Sequence, residues 1–322
     1  MNPDVLIQVE HLYRYYGHLC AVKGISFEVR RGEVLGFLGP NGAGKTTTMQ
    51  IISGNLAPSA GSVRINGIDI LDDPRQAKAD LGYLPEQPPL YRELTVDEYL
   101  RYCARLNRIP RERQGQAIDR AKERCGLADV GRRLIGNLSK GYRQRVGIAQ
   151  AIIHSPAVVI LDEPTVGLDP IQIREIRGLI RELGGEHSVI LSTHILPEVQ
   201  AVCDRVQIIH RGELALNDTI AGLERHMLLS WIAVGLRNPP AAAELERVAG
   251  VAAVEDLGEG RFRLQYDPDA GDVAERLVDA AVQRGWRLYE IRQERRSLEE
   301  IFVDITRSDT AAAESASMEA AA

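Results

Sequence analysis

The sequence predicts an α/β protein whose main sheet is mostly parallel, and two observations support that class. Four short runs of β-branched and aliphatic residues lie at 33–39, 157–162, 188–193 and 206–210. Such runs are typical of strands that are buried on both faces. Segments with helical character separate them, such as IQIREIRGLIREL at 171–183. Buried strands that alternate with helices favour parallel pairing, with helices covering the sheet.

The segments near the amino terminus show a different pattern. Apolar and polar residues alternate in 5–16, 24–33 and 61–70, which indicates strands with one buried face. We therefore expect an antiparallel β part beside the parallel core. Residues from about 91 to 154 have helical character, and Thr95 is a suitable N-cap for the first of these helices. We interpret this stretch as a helical insert within the same domain.

The pattern changes near residue 219, which divides the chain into two predicted domains. Residues 1–218 form the first, and residues 219–307 have the order β-α-β-β-α-β of a small, ferredoxin-like α+β accessory domain. The segment SLEEIFVDIT at 297–306 is expected to be its closing helix. Residues 308–322 are small and polar, and we predict a disordered tail there.

Composition narrows the class of function. The 322 residues are 44% hydrophobic and 26% charged, as in ordinary globular proteins. Acidic residues outnumber basic ones by 45 to 39, which argues against a general nucleic-acid binder. The four cysteines lie far apart without a CxxC or Cys/His cluster, so we expect reduced thiols. The apolar stretch at 227–236 is too short to span a bilayer, and the amino terminus lacks a signal pattern.

The stretch GPNGAGKTT at 39–47 fits the phosphate-binding pattern G-x-x-x-x-G-K-[ST], between a predicted buried strand and a predicted helix. Glycines let backbone N–H groups turn towards phosphate oxygens, and the following helix directs its positive end at the same anion. The lysine reaches the terminal phosphates, and the next hydroxyl is a Mg²⁺ ligand. An accidental glycine-rich turn is the alternative, which the strand–loop–helix context disfavours. The predicted nucleotide contacts are Gly39, Asn41, Gly42, Gly44, Lys45, Thr46 and Thr47.

Two acidic residues end the predicted strand VVILD. Asp162 and Glu163 lie at the carboxyl end of a buried strand, where doubly wound sheets bind their ligands. Asp162 is predicted to hold Mg²⁺ through water, and Glu163 is predicted to polarise the attacking water. Two solvated acids at the end of a strand are the alternative. A phosphate loop on a neighbouring strand disfavours that alternative.

These motifs together resemble the ATP-binding cassette (ABC) ATPase family. The segment LSKGYRQR at 138–145 is similar to the family signature LSGGQ. Lys140 and Tyr142 depart from that pattern. Ser139 and Gly141 keep the hydroxyl and the open backbone that are expected to contact phosphate.

Further positions match the family in their order along residues 5–218. GLDP, with Asp169, resembles the D-loop, and His194 in THILPEVQ stands where the family has its switch histidine. Gln87 in GYLPEQ stands at the position of the Q-loop glutamine, and Tyr16 at that of the aromatic residue that stacks on adenine. Each position is a weak signal alone, because such residues are common in loops and on strand faces. Their order and spacing raise their weight.

The resemblance implies a mechanism and a partner. In ABC proteins two cassettes face head to tail, and each ATP lies between the phosphate loop of one and the signature helix of the other. Because this chain has one loop and one signature, the resemblance implies a second copy as partner. It implies ATP and Mg²⁺ as cofactors. The implied catalytic residues are Glu163, His194, Lys45 and Gln87; the implied metal site is Thr46, Gln87 and Asp162; and the implied further nucleotide contacts are Tyr16, Ser139, Gly141 and Asp169.

The single cassette and the ending SLEEIFVDIT resemble ATPase subunits of ABC-2-type exporters, and the variant signature is similar to that of the gliding-motility-type branch. This resemblance implies a separate transmembrane permease, a cytoplasmic location on the inner face of the membrane, and no nucleic-acid partner. Residues 88–100 are the candidate surface for the permease. A soluble ABC ATPase, acting in a cytosolic assembly or on nucleic acid, is the alternative. A P-loop kinase or GTPase is a more distant one, since it needs neither the signature nor His194.

Overall fold

The computed structural model describes residues 4–226, 230–266 and 270–294. These residues divide into two units, one up to Ile220 and one from Ala221 onwards. The domain boundary predicted after residue 218 stays a prediction.

Strands and helices alternate along most of the first unit. Its strands are β1 (Val5–Tyr16), β2 (Leu19–Arg30), β3 (Val34–Leu38), β4 (Ala60–Ile65), β5 (Ile68–Asp69), β6 (Leu81–Leu84), β7 (Val158–Asp162), β8 (Ser188–Thr193), β9 (Arg205–His210) and β10 (Glu213–Thr219). Its helices are α1 (Lys45–Ile52), α2 (Pro74–Ala79), α3 (Val96–Leu106), α4 (Arg111–Arg124), α5 (Lys140–Ile152), α6 (Pro170–Gly184) and α7 (Leu196–Val202), with 3₁₀ turns at Ala128–Val130 and Ile135–Asn137. The remaining elements are α8 (Ile220–His226), β11 (Ser230–Leu236), α9 (Ala242–Leu245), β12 (Val251–Gly258), β13 (Arg261–Tyr266), α10 (Val273–Gln283) and β14 (Leu288–Glu294).

The main sheet has the strand order β10-β9-β3-β8-β7-β6. Every neighbouring pair is parallel except β10 with β9. All residues of β3, β7 and β8 are buried, which explains why these segments show no alternation of apolar and polar residues. The predicted α/β class with a mostly parallel sheet is confirmed.

The amino-terminal segments form a second sheet, with the order β2-β1-β4-β5 and antiparallel pairing throughout. The predicted antiparallel part is therefore confirmed. This sheet shares a hydrophobic core with the main sheet and with Met49 and Ile51 of α1. At its centre, the rings of Phe27 from β2 and Phe37 from β3 lie 5.6 Å apart. The core thus joins both sheets around the start of α1.

The predicted helical insert consists of α3, α4 and α5. Thr95 caps α3 in a capping box: its hydroxyl accepts from the N–H of Glu98 at 3.2 Å, and its own N–H donates to the Glu98 carboxylate at 2.8 Å. Gly126 follows α4 in a left-handed conformation, φ +63°, which ends that helix. Between α4 and α5 the chain is largely irregular, so this stretch is less helical than the sequence predicted.

The second unit is an antiparallel sheet with the order β12-β13-β11-β14. Its connectivity is the β-α-β-β-α-β of a ferredoxin-like unit, as predicted. Helix α9 is a single short turn, and its Leu245 lies in the core of this unit. The predicted closing helix at 297–306 and the tail at 308–322 lie outside the described residues. None of the helices within the described ranges is long and apolar enough to cross a bilayer.

Candidate active site at the phosphate loop

The chain between β3 and α1 forms a tight loop whose backbone lies against both sheets. Gly44 has φ +106°, and a Cβ atom there would lie 2.6 Å from the carbonyl oxygen of Ala21 in β2. A Cβ at Gly39 would overlap the carbonyl oxygen of Ile209 in β9. Backbone atoms therefore exclude side chains at both positions. The geometry explains the two glycines that the motif requires.

The ammonium group of Lys45 lies inside this loop. Its Nζ donates to the carbonyl oxygens of Gly39 at 2.8 Å and Pro40 at 3.2 Å, and it lies 3.4 Å from Oε1 of Glu163. The side chains of Lys45 and Glu163 are only 5% and 7% exposed. Charges in such surroundings interact more strongly than they do at the surface. The loop therefore presents a desolvated positive charge to any anion that its backbone holds.

Asp162 ends β7, and its side chain is completely buried. Neither carboxylate oxygen has a hydrogen-bond partner of normal geometry among the described residues. Burial raises the pKa of this carboxyl group, and the nearby hydroxyls of Ser192 and Thr46 oppose the shift. Unpaired carboxylate oxygens are costly to bury. A cation held beside Thr46 and Asp162 would remove that cost.

The backbone turns sharply after β7. Glu163 has φ +48°, in the left-handed region, and its N–H donates to the carbonyl oxygen of Ser192 at 2.8 Å. This conformation costs a residue other than glycine about 1 to 2 kcal/mol. Its carboxylate oxygens lie 2.9 and 3.1 Å from Nδ1 of His194, which donates to them when that nitrogen carries the proton. Glu163 thus joins Lys45 and His194 in one cluster, as the order of motifs predicted.

This cluster borders a cavity of about 370 Å³. Most of the predicted loop contacts meet there. The lining consists of Ala21, Asn41, Gly42, Gly44, Lys45, Thr46, Thr47, Glu86, Glu163, Val166 and His194. Backbone N–H groups, hydroxyls and an ammonium group on one side face a carboxylate–imidazole pair on the other. Such an arrangement is suited to positioning a phosphoryl group and a water molecule.

Comparison with known proteins agrees with this geometry. The ABC transporter family model matches residues 22–166. The chain is 32% identical over 302 residues to the ABC transporter ATP-binding protein YxlF of Bacillus subtilis, covering 93% of this chain and 99% of YxlF. The chain belongs to the ABC transporter ATP-binding proteins. It is the ATP-binding and ATP-hydrolysing subunit of a transporter.

Two further comparisons extend the likeness. The linearmycin resistance ATP-binding protein LnrL of Bacillus subtilis is 31% identical over 94% of this chain and 98% of its own length. A solved ATP-binding subunit of an ABC transporter is 32% identical and aligns with a TM-score of 0.63, over 69% of this chain and 92% of that chain. Relatives such as LnrL match nearly the whole chain, beyond the part that the family model covers.

The predicted Q-loop position of this ABC subunit has two adjacent polar residues, and they lie differently towards the loop cavity. Glu86, and not Gln87, lies in the lining of the loop cavity. The Glu86 carboxylate is also near enough to Asp162 to contribute to the raised pKa of that group. Both side chains are exposed, and Gln87 lies outside the lining, so its predicted role stays a prediction. The loop after β6 is irregular, so no periodicity in the sequence tells which of two adjacent polar residues faces the cavity.

Tyr16 lies at the end of β1 and outside the cavity lining. Its side chain is 45% exposed, and the guanidinium group of Arg14 lies 4.9 Å from the centre of its ring. Tyr15 is also exposed, whereas its ring stacks on that of Tyr13. An exposed ring meets the first requirement for stacking on a base, and the adenine contact of Tyr16 stays a prediction.

The signature residues form a second site, away from the loop cavity. Gly141, Tyr142, Asp169 and Gln172 line a cavity of about 500 Å³. Ser139 caps α5, and its Oγ accepts from the N–H of Tyr142 at 3.4 Å. Asp169 caps α6 and accepts from two backbone N–H groups at 2.9 Å. Within one copy these groups do not meet the phosphate loop, so their predicted nucleotide contacts require a second copy.

The substitution at Lys140 is accommodated within the chain. A Cβ atom at Gly167, in the GLDP segment, would overlap the Nζ atom of Lys140. The lysine side chain therefore lies against the D-loop glycine. A Cβ at Gly141 would lie 2.6 Å from the side chain of Gln172 on α6. Both contacts fix the start of α5 against the D-loop and α6.

A buried carboxylate that sequence analysis missed connects the segments that carry Glu163 and His194. Glu198 on α7 is 1% exposed and accepts from Oγ1 of Thr165 at 2.5 Å and from Oγ1 of Thr193 at 3.0 Å. Thr165 follows Glu163 closely, and Thr193 directly precedes His194. The two hydrogen bonds therefore tie the segment after Glu163 to the residue that precedes His194. No sequence signal marks Glu198, because acidic residues in the first turn of a helix are common.

Proposed function

We propose that this chain is the ATP-binding and ATP-hydrolysing subunit of an ABC-2-type membrane exporter. Two copies bind ATP between them and drive a separate permease. The observation that carries the proposal is the buried cluster of Lys45, Glu163 and His194 at the phosphate loop. It provides a cation for the phosphates and an oriented carboxylate for water within one cavity.

The chain's own residues carry out the chemistry. Lys45 exchanges its contacts with loop carbonyls for phosphate oxygens, and it neutralises charge that develops during cleavage. Glu163 accepts a proton from the attacking water. The Nδ1–H of His194 orients the Glu163 carboxylate for that step. Tyr16 provides a stacking surface for the base.

The residues present fit a magnesium ion. Asp162 and Thr46 would hold it, with Glu86 nearby, and water and phosphate oxygens completing the shell. The buried carboxylate oxygens of Asp162, which have no partner of normal geometry among the described residues, support this assignment. No group of three or more His, Cys, Asp or Glu side chains suited to a metal occurs in the described ranges, in keeping with a water-rich site. Bound there, the ion supplies charge neutralisation at the phosphates.

Dimerisation completes each site. Ser139 and Gly141, at the positive end of α5, are proposed to contact the ATP that the other copy holds in its loop. Asp169 lies at the same face, on the cap of α6. A homodimer is the simplest assembly that gives each phosphate loop a signature partner.

Export is supported by the likeness to LnrL, a linearmycin resistance ATP-binding protein, over nearly the whole chain. We propose that the permease contacts residues 88–100, which include the start of helix α3, and the rest of that helix. There Tyr91 and Tyr102 are 45% and 41% exposed, and their rings meet edge to face at 5.6 Å. Exposed aromatic side chains of this kind are enriched at protein interfaces. Such docking would place the chain in the cytoplasm, at the inner face of the membrane.

Co-purification tests this assignment. The tagged chain is extracted from membranes in mild detergent, and the proteins that accompany it are identified. A stoichiometric membrane protein with several spans is the expected result. A soluble complex without any membrane protein, reproduced in several detergents, would instead favour a cytosolic ABC ATPase.

A further inference from the structure

A second large cavity lies away from the nucleotide loop. Its volume is about 810 Å³, within the range of small-molecule sites. It is formed by α2, the segment joining α3 to α4, the first turns of α4 and the chain after α5. Its lining includes the residues just before β6 and β7, whereas Glu86 and Glu163 follow those strands. The two cavities therefore lie at opposite ends of the strands of the main sheet.

This cavity is strongly basic, and we call it the basic cavity. Its cationic side chains are Arg75, Lys78, Arg108, Arg113 and Arg120. No aspartate or glutamate is among the residues that line it. A concentration of positive charge of this kind is unexpected in a chain whose formal net charge is −6.

Most of these charges have no acidic partner in the described part of the chain. Arg120 pairs with Glu186 at 2.7 Å, and that ion pair is about half exposed. No ion pair occurs between the described residues and Arg75, Arg108 or Arg113. The Nζ of Lys78 donates to the carbonyl oxygen of Gly54 at 2.7 Å. This hydrogen bond fixes the position of the ammonium group but gives it no acidic partner.

One further feature of the basic cavity favours an anion. Helix α4, 14 residues long, begins at Arg111, and its N-cap residue Pro110 lines the cavity and provides no side-chain cap, so the positive end of the helix lies at the cavity. His154 also lines the cavity. Its Nε2 lies 3.2 Å from the carbonyl oxygen of Leu81 and donates to it, which holds the imidazole in place at the wall of the cavity.

We propose that the basic cavity binds a small organic anion with several phosphate charges. Guanidinium groups recognise phosphate oxygens in pairs, and arginine predominates among the cations here. Arg75, Arg108 and Arg113 are exposed and Lys78 is half-buried, so a ligand can reach all four cations that lack an ion-pair partner in the described part of the chain. A single carboxylate would pair with only one of them, and the volume exceeds what one inorganic phosphate fills. A soluble phosphorylated compound and a phospholipid headgroup share this chemistry. The site uses none of the residues proposed for ATP hydrolysis.

Binding of inositol hexakisphosphate to the full chain, measured by calorimetry, tests the site. Saturating ADP blocks the phosphate loop during the titration. The test variant is Arg108→Gln/Arg113→Gln. The control is Arg111→Gln/Arg132→Gln, which removes the same charge from arginines that are also exposed but lie outside the lining. We expect the test variant to bind about tenfold more weakly or worse, and the control to remain close to wild type.

A parallel measurement separates the two sources of phosphate. Flotation with vesicles of equal parts phosphatidylcholine and phosphatidylglycerol, compared with phosphatidylcholine alone, reports on a headgroup. In either assay, binding that is lost only in the test variant supports the proposal. Binding in calorimetry alone indicates a soluble phosphorylated compound, and binding to the phosphatidylglycerol vesicles indicates a phospholipid headgroup. Equal binding by test and control variants, or no binding in both assays, would overturn it. Unchanged ADP affinity shows that a variant is folded, and Arg75→Gln on α2 gives an independent variant.

Discussion

Replacing Glu163 by glutamine separates ATP binding from hydrolysis. The amide has nearly the same shape, and its oxygen still accepts from His194. Lys45 keeps its two loop carbonyls, at 2.8 and 3.2 Å, so the loop should retain its form. Loss of the negative charge 3.4 Å from Lys45 also removes a competitor of the phosphates. We therefore expect ATP affinity to be unchanged or higher in Glu163→Gln.

Hydrolysis should fall because glutamine cannot accept the proton of water. A positioned general base contributes about 10²- to 10⁴-fold, which corresponds to roughly 3 to 5 kcal/mol of activation free energy. Phosphate release by the purified variant gives the rate, and titration with a fluorescent ATP analogue gives the affinity. Glu182→Gln, an exposed acid on α6, is the matched control and should behave as wild type.

The same variant tests assembly. With hydrolysis blocked, ATP should accumulate in the closed pair, and light scattering should detect dimers that depend on ATP. Near-normal turnover would remove Glu163 from its assigned role. If the variant stays strictly monomeric even with its membrane partner present, the proposal that two copies bind ATP between them is refuted.

Three further predictions concern the charge at Asp162, the loop after β6 and the permease surface. Because burial raises the pKa of Asp162, ionisation of this group destabilises the fold, and the protein loses stability as pH rises from the unfolded-state pKa of the group through its higher folded-state pKa. Asp162→Asn should therefore melt a few degrees higher than wild type at neutral pH in a metal-free buffer, and magnesium with ATP should stabilise it less. Glu86→Ala should lower steady-state ATPase activity several-fold, whereas Gln87→Ala should leave it near wild type, and the reverse order would restore Gln87 to the site. Tyr91→Ala should reduce co-purification of the permease without changing basal ATPase activity. The control is Tyr289→Ala, which changes an exposed tyrosine of the second unit. Equal recovery of the permease with both variants would exclude residues 88–100 as the permease surface.

Much of the fold follows from local patterns in the sequence. The strand before the phosphate loop and the strand that ends in Asp162 are short, almost wholly apolar and buried, which leaves few alternatives to a parallel sheet. Phosphate chemistry alone predicts the loop glycines, and the structure adds the packing reason: backbone oxygens stand where their side chains would be. The Thr95 capping box likewise depends only on residues within one helical turn, so a local pattern is enough to predict the cap.

The remaining features depend on contacts between distant segments. Glu86 and Gln87 are adjacent polar residues in an irregular loop, and only the path of the chain decides which one faces Asp162. Glu198 looks like an ordinary acid near a helix start, but α7 buries it against two threonine hydroxyls. The basic cavity draws on four separate segments of the chain, so no local pattern in the sequence reveals its charge.

The phosphate loop packs closely against the carbonyl oxygen of Ala21 in one sheet and against that of Ile209 in the other. Its shape is thus set by the two sheets together. A nucleotide that arrives need not order the loop, so little conformational entropy is lost on binding. In the proposed mechanism, the motions that follow ATP binding arise at the signature helix and the D-loop, which meet the nucleotide only in the closed pair of copies.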